Sequence, residues 1–426
     1  MPVIQEMLYN LRPIFKEEID FLKDQLDIDI PENVCWFNKM NIYGFNKSDG
    51  KRIQMFRIRV RDLKLTLVKS SPYDLSDLKT YEDFIKELYP QVLKLEQEAI
   101  DVAKEFLSKY PTHKPIIFTS TGKDSMVLQH IVRKIDPNIP AKFNNTSLDT
   151  SYTYKIAKQL ENTEILNPKE GFYQWRNRNN FVPSQLGRAC CSLFKEGETA
   201  NHIASNEEHL FFYGMRNAES TTRQNYMYEW RNQNWKANKW IGCLPIRRWT
   251  DLDIWLYIMK NNLIINDTYR FGYNRVGCSV PCPFRTDYEN LLDKYFFKNQ
   301  FDRWQKILRE DFISNRKWPL LNCTIQEYLD GAWKHGVHRE EPTEDVIIEF
   351  VRYTGLDLQI AIKYFNKICG CGKKVKKDEV ALTMKLFGRQ VSVAMCYDCL
   401  SKSFEITKKE LKEMVKDFKL QGCDLF

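Results

Sequence analysis

Hydrophobic positions along the chain change period several times. FRIRV and LKLTLV, between Phe56 and Val68, read as a pair of strands, and the residues before them as a helical start. SSPYDLSDLKTYEDF then supplies turn chemistry and the opening of a helix. From Tyr81 to Tyr110 the apolar spacing is helical. PIIFTS is a short buried strand, Asp124 to Lys134 a helix, AKFNNTS a second strand, Ser151 to Leu160 a helix, and HLFFYGM a later strand. Strands alternating with helices predict crossover units and a parallel sheet, an α/β architecture. Pro283 to Asn315 reads as mostly helical, and the chain stays helical to Phe365. The last 60 or so residues open with ICGCGKK and form a compositionally separate unit.

Length and composition sharpen this picture. At 426 residues the chain calls for two or three domains, divided here as 1–77, 78–330 and 331–426. Hydrophobic residues make up 43% and charged residues 28%, an ordinary globular mixture, and a net charge of +8 permits an anionic partner. Acids arrive early at the N-terminus and no long uncharged apolar run follows. The expectation is therefore a cytoplasmic protein with no signal peptide and no membrane partner. Twelve cysteines are many for a reducing compartment, and several are grouped: Cys190 with Cys191, Cys278 with Cys282, Cys369 with Cys371, Cys396 with Cys399. There, such grouping argues for metal or cluster ligation over disulfides.

The densest chemistry lies in STGKDS, residues 120–125, at the end of the PIIFTS strand. A strand, a glycine-containing loop and a helix aim backbone N–H groups and the helix's positive end at one point, a site for phosphate. Gly122 lets the backbone approach an anion, Lys123 supplies charge, and Asp124 holds Mg²⁺ or caps the helix. Ser120, Thr121 and Ser125 offer hydroxyls. The Walker-type loop has a longer spacing and a Gly-Lys-Ser/Thr order, so this is a different device. Four further stretches follow in order. FNNTSLDTSYTY places Asp149 and Thr150 past the second strand, where a carboxylate reaches a ribose hydroxyl or a metal, or caps the next helix. RACCSLFK carries Arg188, the cysteine pair and Lys195. YGMRNAESTTR carries Gly214, Arg216, Glu219, Ser220 and Arg223, two arginines able to fork onto phosphate or sulfate with Glu219 orienting one of them. LPIRRWTDLDIW leads into YRFGYNRVGCSVPCPF; its Trp249, Asp253 and Trp255 read as packing and capping residues.

STGKDS resembles the PP-loop, usually written SGGKDS, of the ATP pyrophosphatases, with Thr121 where glycine is usual. The order of the four later stretches resembles the phosphoadenosine-phosphosulfate reductase family, a branch of the PP-loop superfamily, over residues 110 to 290. The resemblance implies a PP-loop (HUP-like) parallel sheet with flanking helices; the rest of the chain is expected to add an N-terminal accessory domain and a C-terminal helical and zinc-ribbon-like region. It implies ATP and Mg²⁺ as ligands. It also favours a [4Fe–4S] cluster on Cys190, Cys191, Cys278 and Cys282, since related reductases and thiolating enzymes carry a Cys-Cys and a later Cys-x-x-Cys. Here the later pair is one residue longer, and zinc or simple packed thiols are the alternatives.

Cys369-Gly-Cys371 and Cys396-Tyr-Asp-Cys399 have the spacing of a zinc ribbon or knuckle binding Zn²⁺. Six lysines and no acid lie between Lys363 and Lys377, a charge pattern common in nucleic-acid adaptors. A second basic region, Arg216 to Arg248, has seven Lys and Arg against two Glu, with Trp230, Trp235 and Trp240 between them.

Two enzyme chemistries compete. Sulfonucleotide reductases (PAPS or APS reductases, releasing sulfite) use a C-terminal cysteine in a Glu-Cys-Gly-Leu/Ile-His tail and generally lack the intact Lys-Asp of the loop. This chain ends KLQGCDLF, with Cys423 outside that context, and retains Lys123 and Asp124. The favoured reading is ATP-dependent adenylation followed by sulfur transfer, a plan that resembles DNA phosphorothioation and tRNA thiolation. Its expected partners are a nucleotide, a nucleic acid (DNA or tRNA), and a sulfur donor or partner subunits. A non-catalytic nucleotide-binding subunit of a defence or DNA-modification system is the third reading.

Overall fold

The computed structural model describes residues 10–185, 187–232, 239–280, 282–315, 322–336, 341–355, 357, 358, 367–388, 391, 393–421, 423, 425 and 426. Trp235, Lys236, Lys363 and the helical reading of residues 359–365 lie outside these. The contacts divide the chain into two units: residues up to Trp175 with Cys190–Ser279, and Arg176–Ala189 with Val280–Phe426.

The first unit opens with an antiparallel meander. Strands β1 (Arg12–Pro13), β2 (Trp36–Asn38), β3 (Asn41–Phe45), β4 (Arg52–Arg61) and β5 (Lys64–Ser70) lie side by side in chain order. Two of the reversals are tight. Lys39 and Met40 join β2 to β3, and Asp62 and Leu63 join β4 to β5, all four at positive φ (45°, 66°, 52° and 51°). Paired left-handed residues match the twist of the flanking strands, which is why two-residue hairpins use them. Helix α1 (Lys16–Leu26) stands between β1 and β2 in sequence. The long helix α2 (Tyr81–Lys109) begins at a reciprocal cap in which Thr80 and Asp83 satisfy each other's backbone N–H.

A second sheet holds β6 (Lys114–Thr119), β7 (Ala141–Asn144), β8 (Thr163–Leu166), β9 (His209–Phe212), β10 (Glu229–Trp230) and β11 (Trp240–Cys243), in the order β10-β11-β9-β6-β7-β8. All neighbours are parallel except β10, which runs against β11. The chain leaves β6 for β7 and β8, then returns to the other side of β6 with β9. The gap between the ends of β6 and β9 is therefore a topological switch point, where open α/β sheets bind ligands. Helices α3 (Lys123–Ile135), α4 (Ser151–Gln159) and α5 (Asp251–Lys260) flank this sheet.

One apolar core spans both sheets. Ile117 of β6, Val127, Leu128 and Ile131 of α3, and Ile254 and Trp255 of α5 cluster with Leu11, Trp36, Phe45 and Tyr81. The N-terminal meander thus shares its core with the parallel sheet. Arg12 reinforces the junction: it is buried, pairs with Glu18 at 2.6 and 2.7 Å, and donates to Asn274 Oδ1 at 2.8 Å.

In the second unit the described residues include helices α6 (Asp287–Phe296), α7 (Lys298–Asn315), α8 (Glu344–Thr354), α9 (Lys377–Phe387), α10 (Tyr397–Phe404) and α11 (Lys408–Leu420). Ahead of α9 the chain makes a tight knuckle, closed by a bridge between Ile368 and Lys374. Among the described residues no helix is long and apolar enough to cross a membrane.

A candidate nucleotide site and a four-thiol centre

β6 ends at Thr119 and α3 starts at Lys123, so residues 120–122 must turn the chain within one step. Thr121 makes the turn at φ 58°, a left-handed conformation that is unusual for a β-branched residue and costs about 1–2 kcal/mol. The strain explains why glycine is usual there. Thr121 is fully buried and held in place: its N–H donates to Thr119 Oγ1 (3.3 Å), and its hydroxyl accepts from Asn266 Nδ2 (3.2 Å). Ser125 Oγ accepts from Ser120 N (3.1 Å) and donates to the Gly122 carbonyl (2.9 Å), closing the loop on itself. The N–H of Lys123 donates to Tyr269 Oη at 2.9 Å.

The loop's charged side chains do not stand alone. Lys123 Nζ lies 3.1 Å from Asp124 Oδ2 and 3.0 Å from Asp251 Oδ1. Arg216, 1% exposed, reaches the same two acids, Nε to Asp124 Oδ1 and Nη2 to Asp251 Oδ1, each at 2.7 Å, and Nη1 donates to the Trp249 carbonyl at 3.0 Å. Two cations and two carboxylates thus form a balanced cluster at the switch point. Burial alone would raise the Asp251 carboxyl, but Lys123 and Arg216 outweigh it and hold it down at about 2. Asp124 is also lowered: burial opposes, and Arg216 and then Lys123 prevail. For Lys123 and Arg216 burial works against the charge, yet the two aspartates push both above their ordinary values.

Gly214, after β9, is fixed by close approach. A Cβ there would sit 2.9 Å from the carbonyl carbon and oxygen of Asp124, inside α3's first turn. Next to Arg216, Glu219 pairs with Arg223. Arg223 is lowered by burial and then by the nearby Arg275, so a second arginine converges on this side of the site. Asp149 accepts from Thr146 N (3.3 Å) and Oγ1 (2.7 Å) within its own turn, while the cap of α4 is Thr150, which accepts from Thr153 N. Trp249 and Trp255 are buried, and Asp253 forms a reciprocal cap with Thr250 at the start of α5, as the sequence suggests. Lys195 is exposed, and its carbonyl accepts from Asn144 Nδ2 at 2.7 Å.

The structure therefore joins Lys123, Asp124 and Arg216 directly. It adds Asp251, Tyr269, Asn266 and Arg275, which sequence reasoning missed. Asp251 reads locally as an ordinary acid in a helix's first turn, and the hydroxyl of Tyr269 and the amide of Asn266 carry no motif at all.

Of the core cysteines, Cys190, Cys191 and Cys278 lie in the first unit and Cys282 in the second. All four are partly exposed, and the Cys278 thiol donates to Thr146 Oγ1 at 3.5 Å. Arg188, in the second unit, stands 5.4 Å from the Phe284 ring centre. Among the described residues the group whose ligand atoms all lie within 4.8 Å of one another is the C-terminal one, Cys369, Cys371, Cys396 and Cys399. Its first pair is presented by the knuckle, where Gly372 N donates to the Cys369 carbonyl and Cys369 N to the Lys373 carbonyl, both at 2.8 Å. Its second pair is presented by the start of α10, of which Cys396 is the N-cap residue. Burial alone would raise the Cys369 thiol, but hydrogen bonds from the backbone of Cys371 and Cys396 bring it down to about 7. Four converging thiols fit the donor set of a structural zinc site.

These features define a nucleotide-type α/β domain built on a PP-loop. Residues 114–284 match the phosphoadenosine phosphosulfate reductase domain. An uncharacterized protein of Methanocaldococcus jannaschii is 26% identical over 272 residues, covering 61% of this chain and 64% of its own length. A second from the same organism is 29% identical over 223 residues, covering 50% and 45%. The chain thus spans less than two thirds of either. Adenosine 5'-phosphosulfate reductase 2 of Bacillus subtilis is 25% identical over 231 residues, 50% of this chain and 92% of that protein. A solved structure of phosphoadenylyl-sulfate reductase from Candida auris, in complex with phosphate, aligns at 16% identity over 49% of this chain and 98% of its own, with a TM-score of 0.35.

Proposed function

We propose that this protein is an ATP-dependent sulfur-transfer enzyme, which adenylates an acceptor, a nucleic acid, before sulfur replaces the activated oxygen. The observation that carries this reading is the intact Lys123–Asp124 pair at the start of α3, tied to Arg216 across the switch point. A leaving pyrophosphate requires positive charge at that place. Lys123 and Arg216 supply it, and Asp124 and Asp251 are the carboxylates suited to Mg²⁺. Arg223 and Arg275 extend the positive charge beyond the loop.

The core cysteines belong to this reading as thiolate donors for a [4Fe–4S] cluster, which would bind or relay sulfur. Protein prepared anaerobically is expected to be brown, and Cys191→Ala to bleach it. Colourless, iron-free protein after anaerobic reconstitution removes the cluster from the account.

Sulfonucleotide reduction is the second reading, favoured by the likeness to the Bacillus subtilis adenosine 5'-phosphosulfate reductase 2 over half the chain. The surroundings of Cys423 speak against it. This thiol packs on the small core that contains Cys369, Val380, Met384 and Cys396, and its N–H donates to the Phe418 carbonyl at 2.9 Å. A mobile nucleophile would stand clear of such contacts.

The deciding assay follows ATP to AMP and pyrophosphate with Mg²⁺, with and without nucleic acid. Lys123→Ala is expected to lose a charge-assisted phosphate contact of about 1.5–3 kcal/mol, roughly ten- to a hundredfold in ATP affinity. Unchanged ATP binding in that variant counts against the loop. Robust, Cys423-dependent sulfite release from a sulfonucleotide replaces the first reading with the second.

A further inference from the structure

The hairpin of β4 and β5 concentrates positive charge, and four of its cations, Arg57, Arg59, Lys64 and Lys69, serve neither the fold nor the nucleotide site. Residues 51–70 contain seven Lys and Arg against one Asp, a net +6 in a chain whose total is +8. Along β4, Phe56 and Ile58 turn into the core while Arg57, Arg59 and Arg61 stand exposed on the opposite face. The register sets Arg57 opposite Lys69, Arg59 opposite Thr66 and Arg61 opposite Lys64. Two like-charged pairs therefore face each other across the ladder, an arrangement that weakens strand pairing. Arg61 has Asp62 at 3.6 Å. Among the described residues, the side chains of Arg57, Arg59, Lys64 and Lys69 have no hydrogen bond or ion pair.

We propose that this sheet face is a docking surface for nucleic acid, gripping its phosphodiester backbone. Cations two residues apart on a strand repeat at about 6.8 Å, and the facing strand supplies a second row, so the face offers a stiff, two-row array to a regularly charged polymer. Tyr43 lies beneath the Arg52 guanidinium at 4.4 Å, which covers one face of its ring. Such contacts hold phosphates and orient the polymer without reading its sequence. The unfavourable like-charge pairs are relieved when a polyanion is bound. This inference rests on the reading that the acceptor is a nucleic acid, and it locates where that acceptor is held.

The test uses the full chain and fluorescence anisotropy with two labelled probes, a duplex DNA and a folded transfer RNA, at several salt concentrations. The triple variant Arg57→Gln/Arg59→Gln/Lys69→Gln is compared with Lys86→Gln/Lys94→Gln/Lys104→Gln, which removes the same charge from exposed positions of α2. The first variant is expected to bind on the order of tenfold or more weaker, with a salt slope smaller by about 0.9 per lost duplex phosphate contact. The second should bind as the unmodified protein does. The first should also melt at an equal or higher temperature, because the Arg57/Lys69 repulsion is gone. Should that variant fold poorly, Arg59→Gln alone, which faces Thr66, must weaken binding in the same direction. The tighter probe identifies the polymer. No binding of either probe, equal losses in both triple variants, or a preference for phosphatidylserine vesicles over both probes overturns the proposal. Binding through this face without stimulation of AMP formation leaves the docking surface standing and removes nucleic acid as the acceptor.

Discussion

At the end of β6, Lys123, Asp124, Arg216 and Asp251 set two cations on two carboxylates. Near the other end of the chain, Cys369, Cys371, Cys396 and Cys399 gather four thiols with no counter-charge among them. The first cluster is complete without a ligand: every charge has a partner, and its members come from three separate stretches that the sheet brings together. The second is local, built by two short Cys pairs on a knuckle and a helix start, and it becomes fully ionised only around a cation. A balanced cluster holds a fold without a ligand. A cluster of like donors depends on a metal for its own order.

The largest effect should come from removing metal from the second cluster. Zinc in such sites contributes roughly 10 kcal/mol or more of folding free energy. A strong chelator, or Cys396→Ser, is therefore expected to abolish the helical signal of α9 to α11, while the first unit keeps its own melting transition. A chelator that leaves the circular dichroism unchanged would reduce the centre to packed thiols.

Arg216→Ala should come next. It strands Asp124 and Asp251 in a mostly buried setting with Lys123 as their one remaining cation, and breaking a buried charge network costs about 3–5 kcal/mol. Urea unfolding of the first unit would show this as a lower midpoint at unchanged slope. An unaltered midpoint would mean that the four charges are not coupled.

Acid should separate the clusters by pH. Asp251 titrates at about 2 in the folded protein, below the ordinary carboxylate value near 3.9, so its contribution is fully present above about pH 4 and is lost as pH falls through about 2. The loss is on the order of 2 kcal/mol, and Asp251→Asn should flatten that limb of the stability curve. A zinc centre would fail earlier on acidification, as its thiolates take up protons.

The smallest effect concerns Thr121→Gly. Relief of left-handed strain, about 1–2 kcal/mol, is offset by loss of one of the two acceptors for the buried Asn266 amide, the other being Thr153 Oγ1, and by glycine's greater freedom when unfolded. The melting temperature should move by a few degrees at most. A large drop would show that the threonine hydroxyl, more than the turn, organises the loop.

Much of the architecture was legible because period and motif agree. The buried run before STGKDS, the amphipathic α3 and the α2 pattern all lie where the sequence puts them. The meander was half legible. Its β4–β5 pair carries a strand pattern, but β2 and β3 are three and five residues long and are joined by Lys39-Met40, which lacks the Gly or Asn that usually announces a left-handed turn. At the site, residues of the loop declared themselves through local spacing. Asp251 did not, because its meaning depends on Arg216, 35 residues away in sequence, and capping chemistry already explained an acid there.

The Tyr269 hydroxyl on the first N–H of α3 turns recognition into a trade. Any anion seated at that N–H must evict a neutral phenol, so measured affinity reports the difference between two acceptors. A weakly basic or poorly placed group gains little from the swap and leaves the tyrosine where it is, whereas a phosphate oxygen also meets Lys123 beside it. Under the proposed function the loop would grade its ligands before any chemistry begins, and removing the hydroxyl alone, as Tyr269→Phe, would make it less particular.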